Sequence, residues 1–410
     1  MGGGWLFLAS LLLLIAIIVR QAPLLLIAIL LFLIYGAVQL WARYALERVE
    51  YSRRLSTARA FFGEEVTLEI SVANRKLLPL PWIHIEEELD EELTLLAGDT
   101  TASHKPKRVL LHNLLSLGWY HRVTRVYPIR CLRRGYFTFG PTRIQVGDYF
   151  QFRLREKEVG NPTHLMVFPR MVPLSELGIP SRDPFGELRL RRHLFQDPVR
   201  VVTTRDYAYG DPMKRIHWKA TARVQRLQSK VFEPTTSTDL AIFLDVRTVQ
   251  PPLWGEVTQL LETAVMATAS IAKYALDADY RIGLYVNQPY RNSDQLMRLP
   301  PSSHPDQLQR ILEALAQVIS PELVPIDRLV QGEGGSLPWA STLVVVTAAP
   351  TPALLATMRT FRRAGRPVAL ALVGGERPEF STDGLPLYHI PAEVPWEKAE
   401  SVEISARGGR

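Results

Sequence analysis

The stretch RDYAYGDPMKRIHWKATAR, Arg205 to Arg223, concentrates side chains that could do chemistry. It holds the cations Arg205, Lys214, Arg215, Lys219 and Arg223, the carboxylates Asp206 and Asp211, the imidazole of His217, and Tyr207, Gly210 and Trp218. Asp211-Pro212 has the form of a helix start, Asp as the cap and Pro at the first helical position. This predicts a helix over MKRIHWKATARVQRL, with Arg215, Lys219 and Arg223 four apart on one stripe and Trp218 buried against a sheet. Gly210 supplies a permissive backbone just before the cap. Lys214 and Arg215 fall in the first turn, where the helix dipole disfavours each cation by ~0.3–1 kcal/mol. They therefore need Asp206, Asp211, Glu233 or an external anion. Three readings stay open: an ion-pair and tryptophan clamp, a basic docking surface for a protein or anionic ligand, and anion- or nucleotide-binding or enzymatic chemistry using His217, Lys219 and Asp211. The last lacks a visible nucleophile or pocket for a general base to serve. Nucleic acid is not an expected partner, because the basic cluster belongs to no recognisable module.

A second candidate position is Asp245, which ends the apolar run AIFLD. In open parallel sheets ligands collect at the carboxyl ends of strands. The position resembles the start of the von Willebrand factor A metal site, D-x-S-x-S, whose oxygens suit a hard cation. Here Arg247 and Val249 occupy the serine positions, and Ala348-Ala349 follow the VVVT run where a second carboxylate would stand. The reading is a degenerate metal site, with Asp245 capping a helix or pairing with Arg247. No metal and no cofactor are expected. Walker, zincin, paired C-x-x-C and nucleophile-elbow signatures are missing from the sequence, so a non-enzymatic protein is expected. The single cysteine, Cys131, excludes a disulfide framework and reads as a packed thiol between Arg130 and Leu132.

The elements that must position these residues follow from hydropathy. Two apolar runs open the chain, Trp5 to Val19 and Pro23 to Trp41, joined by Arg20, Gln21 and Ala22. A spanning helix needs ~20 apolar residues, so the first run borrows Gly2 to Gly4. Together they read as a transmembrane hairpin, residues 5–41 in the lipid bilayer, with Trp5 and Trp41 as interfacial anchors. Arg43, Arg48, Arg53 and Arg54 follow and place the later domains in the cytoplasm by the positive-inside rule. That rule also accounts for part of the net charge of +7.

Beyond residue 45 the pattern has period two, as in EEVTLEISVAN and PWIHIEEEL, with regular turn signals. This predicts an antiparallel β-sandwich-like domain over 46–152 in which no titratable cluster stands out. Residues 153–236 read as a linker carrying the 205–223 motif. DLAIFLDV, RIGLYVN, TLVVVTAA and PVALALVG are continuous apolar runs, the mark of strands buried on both faces. Helical segments alternate with them, so 237–398 reads as a doubly wound α/β domain, with LPLYHI as an edge strand and 399–410 as a flexible tail. The fold class is thus an α+β multidomain membrane protein.

The 205–223 motif resembles the signature of the bacterial and archaeal family named domain of unknown function 58. The two N-terminal apolar runs, RRGYFTFGP, GDYFQF in place of the family's D-P-F-G-L-F, and VFPRMVPL occur in the family's order. The resemblance implies a bacterial inner-membrane protein with two spans, cytoplasmic soluble domains and a von Willebrand factor A-like C-terminal domain. It further implies a scaffold or adaptor for protein maturation or complex assembly. The implied partners are an AAA+ ATPase of the MoxR type and a transglutaminase-like membrane protein.

Overall fold

The computed structural model describes residues 2–147, 154–177, 179, 195–209, 211–235, 239–249, 257–291, 293–319, 322, 324–374 and 385–392. Gly210, the side chains of Trp5 and Glu233, residues 148–152 of GDYFQF and the tail 399–410 lie outside the described residues. The chain is mixed α and β and divides into two compact units, Met1–Phe168 and Pro169–Arg410.

The first unit opens with two helices that pack on each other, α1 (Gly2–Val19) and α2 (Ala22–Tyr44). Their link turns at Arg20, which takes a φ of 54°. Burial runs opposite to that of a water-soluble helix pair. Ala9, Ala16 and Ala28 are buried, while Leu14, Ile18, Leu26, Leu30 and Leu33 are exposed. Ala22–Tyr44 is long and apolar enough to cross a bilayer; Ala9–Val19 is a shorter apolar stretch.

The far end of α2 is tied to the β structure behind it. Trp41 donates its indole N–H to the carbonyl of Pro79 at 3.1 Å, so this predicted interfacial anchor has its polar handle engaged within the unit. The last carbonyls of a helix lack intrahelical partners. Here the Lys76 ammonium supplies them, donating to Tyr44 O (2.9 Å), Ala45 O and Glu47 O (2.6 Å). Burial pushes Lys76 down to about 8, against the pull of Glu47.

The strands of this unit are β1 (Val49–Leu55), β2 (Arg59–Ala60), β3 (Glu65–Asn74), β4 (Leu80–Asp90), β5 (Thr94–Leu95), β6 (Asp99–Ala102) and β7 (Arg108–Leu117). β8 (Arg122–Arg130), β9 (Gly135–Phe139), β10 (Thr142–Gly147), β11 (Leu154–Val159) and β12 (Thr163–Val167) complete it. They form sheets in the orders β1-β3-β8-β5, β11-β10-β4-β7-β6 and β2-β12-β9. Pairing is antiparallel except for the short β2–β12 contact. Alternation does the positioning, as predicted. Val66, Leu68 and Ile70 of β3 and Ile83 and Ile85 of β4 point into apolar clusters, and the residues between them point out. Cys131 is packed in this core, and burial pushes its thiol up to about 11. One ion pair is buried there too. Arg53 of β1 meets Glu87 of β4, and Glu87 also accepts from the Tyr51 hydroxyl and from Thr142 Oγ1 at 2.6 Å.

In the second unit β13 (Phe195–Asp206) and β14 (Gln228–Thr235) make an antiparallel hairpin, with α3 (Trp218–Val224) in the connection between them. A six-stranded sheet follows, built from β15 (Asp239–Leu244), β16 (Arg281–Pro289), β17 (Leu296–Ser302), β18 (Thr342–Thr347), β19 (Val368–Val373) and β20 (Leu387–Ile390). Its order is β17-β16-β15-β18-β19-β20, with only β17 antiparallel to its neighbour. Every residue of β15, β18 and β19 is buried, which explains the unbroken apolar runs. α6 (Ile326–Ser336) and α7 (Pro352–Arg363) cover the face carrying Ala241, Phe243, Val345 and Leu370. α4 (Thr258–Asp277) and α5 (Gln307–Ala316), in contact with each other, cover the alternate face. α7 ends as its sequence predicts, with Gly365 at a φ of 89° and its N–H on Arg362 O.

Candidate functional site

The motif runs from the last two residues of β13 into the 207–227 connection of the β13–β14 hairpin, and its backbone departs from the helix predicted for it. Met213–Arg215 make a single 3₁₀ turn, Ile216 is extended, and α3 begins only at Trp218. The reason lies at Ile216 and His217. Ile216 bridges Ser229 of β14 and is buried, and the His217 N–H donates to Gln228 O at 2.8 Å. Pairing with β14 outweighs the local helix preference. The Arg215–Lys219–Arg223 stripe is therefore broken, and only Lys219 and Arg223 share a helix. α3 stops at Gln225, which adopts the left-handed conformation.

The acidic groups of the motif are used internally. Asp211 does not cap forward; it accepts from the Ala208 N–H behind it at 3.2 Å and from the Arg205 guanidinium at 2.7 Å. The Ala208 N–H foremost, with Arg205 and Ser229 adding, holds its carboxyl below the usual range despite some desolvation. Asp206 accepts from the Gln228 side-chain amide across the hairpin. Gln228 also donates its backbone N–H to Thr221 Oγ1 at 3.0 Å, tying α3 to β14. His217 is the cap of α3, its Nδ1 accepting from the Ala220 N–H at 3.0 Å. That lone pair is committed, so the neutral ring carries its proton on Nε2.

Most of the remaining motif side chains point outward. Trp218, predicted to bury against a sheet, is 65% exposed; Met213 is 67% exposed and Tyr209 fully so. Val224 and Leu227 are exposed as well, and so are Lys214, Lys219 and Arg223. Tyr207 and Arg215 are half-buried. The connection thus sorts its residues: carboxylates, imidazole and the buried Ile216 brace it, while Tyr209, Met213, Trp218, Lys214, Lys219 and Arg223 face solvent.

Asp245 lies where β15 ends, beside the β15–β18 step at which the strand order reverses. Its Oδ1 accepts from the Arg247 N–H (3.1 Å) and from Asn287 Nδ2 (2.8 Å), and its Oδ2 accepts from Thr347 Oγ1 (2.9 Å). Arg247 pairs with Glu322 through Nε (3.0 Å) and Nη2, so its guanidinium does not neutralise Asp245 directly. Both carboxylate oxygens are occupied by protein donors. Burial, with the Glu322 charge adding, pushes the carboxyl up to about 6 against those hydrogen bonds. The sequence located Asp245 and Arg247 but missed Asn287, Glu322 and Thr347, which come from other strands and loops. It also missed a titratable cluster in the first unit, where His84 and Glu86 of β4 meet His112 of β7. The spacing of His84 and Glu86 on one strand was the only available signal.

Comparison with known proteins agrees with the motif. Residues 203–334 match the model of the family described as "Protein of unknown function DUF58", so the match runs from the end of β13 into α6. The uncharacterized protein YeaD of Bacillus subtilis (strain 168) is 25% identical over 223 residues, 52% of this chain. The match spans about half of that relative, 51% of its length. Among solved structures, a type II cohesin domain from the cellulosome of Acetivibrio cellulolyticus is similar at 12% identity, over 28% of this chain and 94% of the domain, with a TM-score of 0.22. A cohesin module from a Clostridium perfringens family 33 glycoside hydrolase is similar at 11% identity, over 29% of this chain and 96% of the module, with a TM-score of 0.21. Likenesses at such TM-scores carry no argument about function.

Proposed function

From the DUF58 match over residues 203–334, we propose that the chain is a membrane-anchored, non-enzymatic scaffold whose 207–227 connection docks a protein partner. The observation that carries this reading is the sorting of the motif, with Tyr209, Met213 and Trp218 exposed beside Lys214, Lys219 and Arg223. Large apolar side chains held outward on a braced connection suit contact with another protein, and aromatic anchors with a basic surround suit an acidic one. The partner implied by the family resemblance is an AAA+ ATPase of the MoxR type, with a transglutaminase-like membrane protein as a further associate. The anchor in this reading is α1 with α2 as a hairpin in a bacterial inner membrane, the soluble parts being cytoplasmic. Alanines turned inward and leucines turned outward support it, because helices in lipid pack through small residues. The six-stranded unit is read as von Willebrand factor A-like, with Asp245 at the degenerate metal position.

The test is affinity capture from solubilised native membranes, comparing the wild-type chain with Met213→Ser/Trp218→Ala/Lys219→Ala. All three side chains are exposed, so the variant should melt with the wild type, within about 0.5 kcal/mol per position. The expected result is an AAA+ ATPase of the MoxR type recovered with wild type and lost from the variant. Equal recovery from both overturns the docking assignment. An anion- or nucleotide-binding function would instead appear as stabilisation, ~2.7 kcal/mol at 100 times the dissociation constant, abolished by the same variant.

A further inference from the structure

The five-stranded sheet of the first unit carries chemistry that the docking connection does not use. Residues two apart on a strand share a face, so His84 and Glu86 both project from the outer side of β4, alternating with the buried Ile83 and Ile85. The β4–β7 register sets Glu86 directly opposite His112 and His84 opposite Leu114. These two facts bring His112 against two side chains that precede it by 26 and 28 residues. His84 Nε2 lies 3.1 Å from His112 Nδ1, and His84 Nδ1 lies 3.8 Å from Glu86 Oε1. One ligand atom from each of the three falls within 4.8 Å of the others, and all three side chains are half-buried.

These separations suit one ion. A tetrahedral zinc with metal–nitrogen bonds near 2.0–2.1 Å sets its nitrogen ligands roughly 3.3 Å apart. The two imidazole nitrogens stand close to that edge length before any ion enters. The two rings stack near-parallel, 16° apart with centroids at 5.2 Å. A second observation concerns the far side of the His112 ring, where Nε2 lies 2.6 Å from Thr101 Oγ1 on β6. Metal-bound imidazoles are held by such a bond on their other nitrogen, which fixes the ring and leaves one lone pair for the metal. Arg143 of β10 lies 3.9 Å from Glu86 and is half exposed, so it can swing away.

We propose that His84, Glu86 and His112 form a binding site for a divalent transition-metal ion of the zinc class, with three protein ligands and an open fourth position. Two imidazoles and one carboxylate are the donors that nitrogen-preferring divalent ions select over magnesium or calcium. The site belongs to the first unit and shares no residue with the position at Asp245 in the second, whose oxygens are engaged by protein donors.

The experiment uses the full chain in detergent without a polyhistidine tag, titrated with Zn²⁺ by calorimetry and with Co²⁺ by visible absorption. The expected result is saturable binding of one ion per chain with a tetrahedral Co²⁺ spectrum. His84→Ala/His112→Ala should weaken affinity at least a hundredfold, and Thr101→Val by about tenfold. A second readout needs no variant: Zn²⁺ should protect His84 and His112, but not His217, from diethylpyrocarbonate, scored by peptide mass. Absence of saturable binding at micromolar metal, or binding unchanged in the double variant, overturns the proposal. Equal modification of His84 and His112 with and without Zn²⁺ does so even if the variants misfold.

Discussion

Asp245→Asn is the perturbation whose outcome is set most sharply by geometry. The carboxyl is buried at the end of β15 and pushed up to about 6, from 3.8 in the unfolded chain. Between those values the folded protein holds the proton more tightly than the unfolded chain does. Stability must then fall as pH rises from about 4 to about 6 and level off above. A gap of about two units at 1.36 kcal/mol each makes the ionised form less stable by ~3 kcal/mol than a neutral group of the same shape would be. Asparagine is such a group. Its oxygen can still accept from the Arg247 N–H and from Asn287, while its amide nitrogen must donate to the Thr347 hydroxyl that now donates to Asp245. Reversing that one bond costs about 1 kcal/mol. The variant is therefore expected to be more stable than wild type by ~1–2 kcal/mol at pH 7.5, to lose the slope between pH 4 and 6, and to match or fall below wild type near pH 4. Because the chain has two units, the assay must be local. Hydrogen exchange of β15 and β18 peptides across a urea series, corrected for intrinsic rates at each pH, isolates the sheet. A flat wild-type profile, or an asparagine variant that is weaker at pH 7.5, refutes the reasoning.

Three further outcomes follow from other contacts. Arg53→Met strands the buried Glu87 carboxylate and should destabilise the first unit by about 3–5 kcal/mol, whereas Arg53→Met/Glu87→Leu should recover most of it; chemical melts followed by exchange in β1 and β4 give the comparison. His217→Ala removes the cap of α3 and should cost about 1 kcal/mol locally, with His217→Asn restoring it, read from amide protection over residues 220–224. Lys76→Met should loosen the end of α2, seen as faster exchange at 45–48. In wild type, Lys76 is at 10.5 unfolded and about 8 folded. The unfolded chain binds more protons between those values, so first-unit stability should rise with pH across that window and lose the rise in the variant.

Much of the architecture was legible because it depends on periodicity. Alternation at Val66, Leu68 and Ile70 gave the β structure, and unbroken apolar runs gave β15, β16, β18 and β19, since burial on one face or two leaves different residue patterns. The motif was legible as a unit but not in its backbone. Asp211-Pro212 carries a true local helix signal, and it loses to the pairing of Ile216 with Ser229, a contact no local rule contains. Trp218 was misplaced for the same reason, because its exposure depends on where α3 starts. The His84–Glu86–His112 cluster was illegible because strand register sets it, and register is a property of two segments that the sequence keeps apart.

The Lys76 and Trp41 contacts bear on mechanics. A domain on a slack tether sweeps a hemisphere, and any partner must find it there. Here the end of α2 is riveted to the β structure of its own unit by three carbonyls on one ammonium and an indole on Pro79. With α2 seated in a bilayer, that joint would hold the strands of the first unit at one height and one inclination to the helix. A pull on its strands would reach the helix as tilt rather than be absorbed as slack.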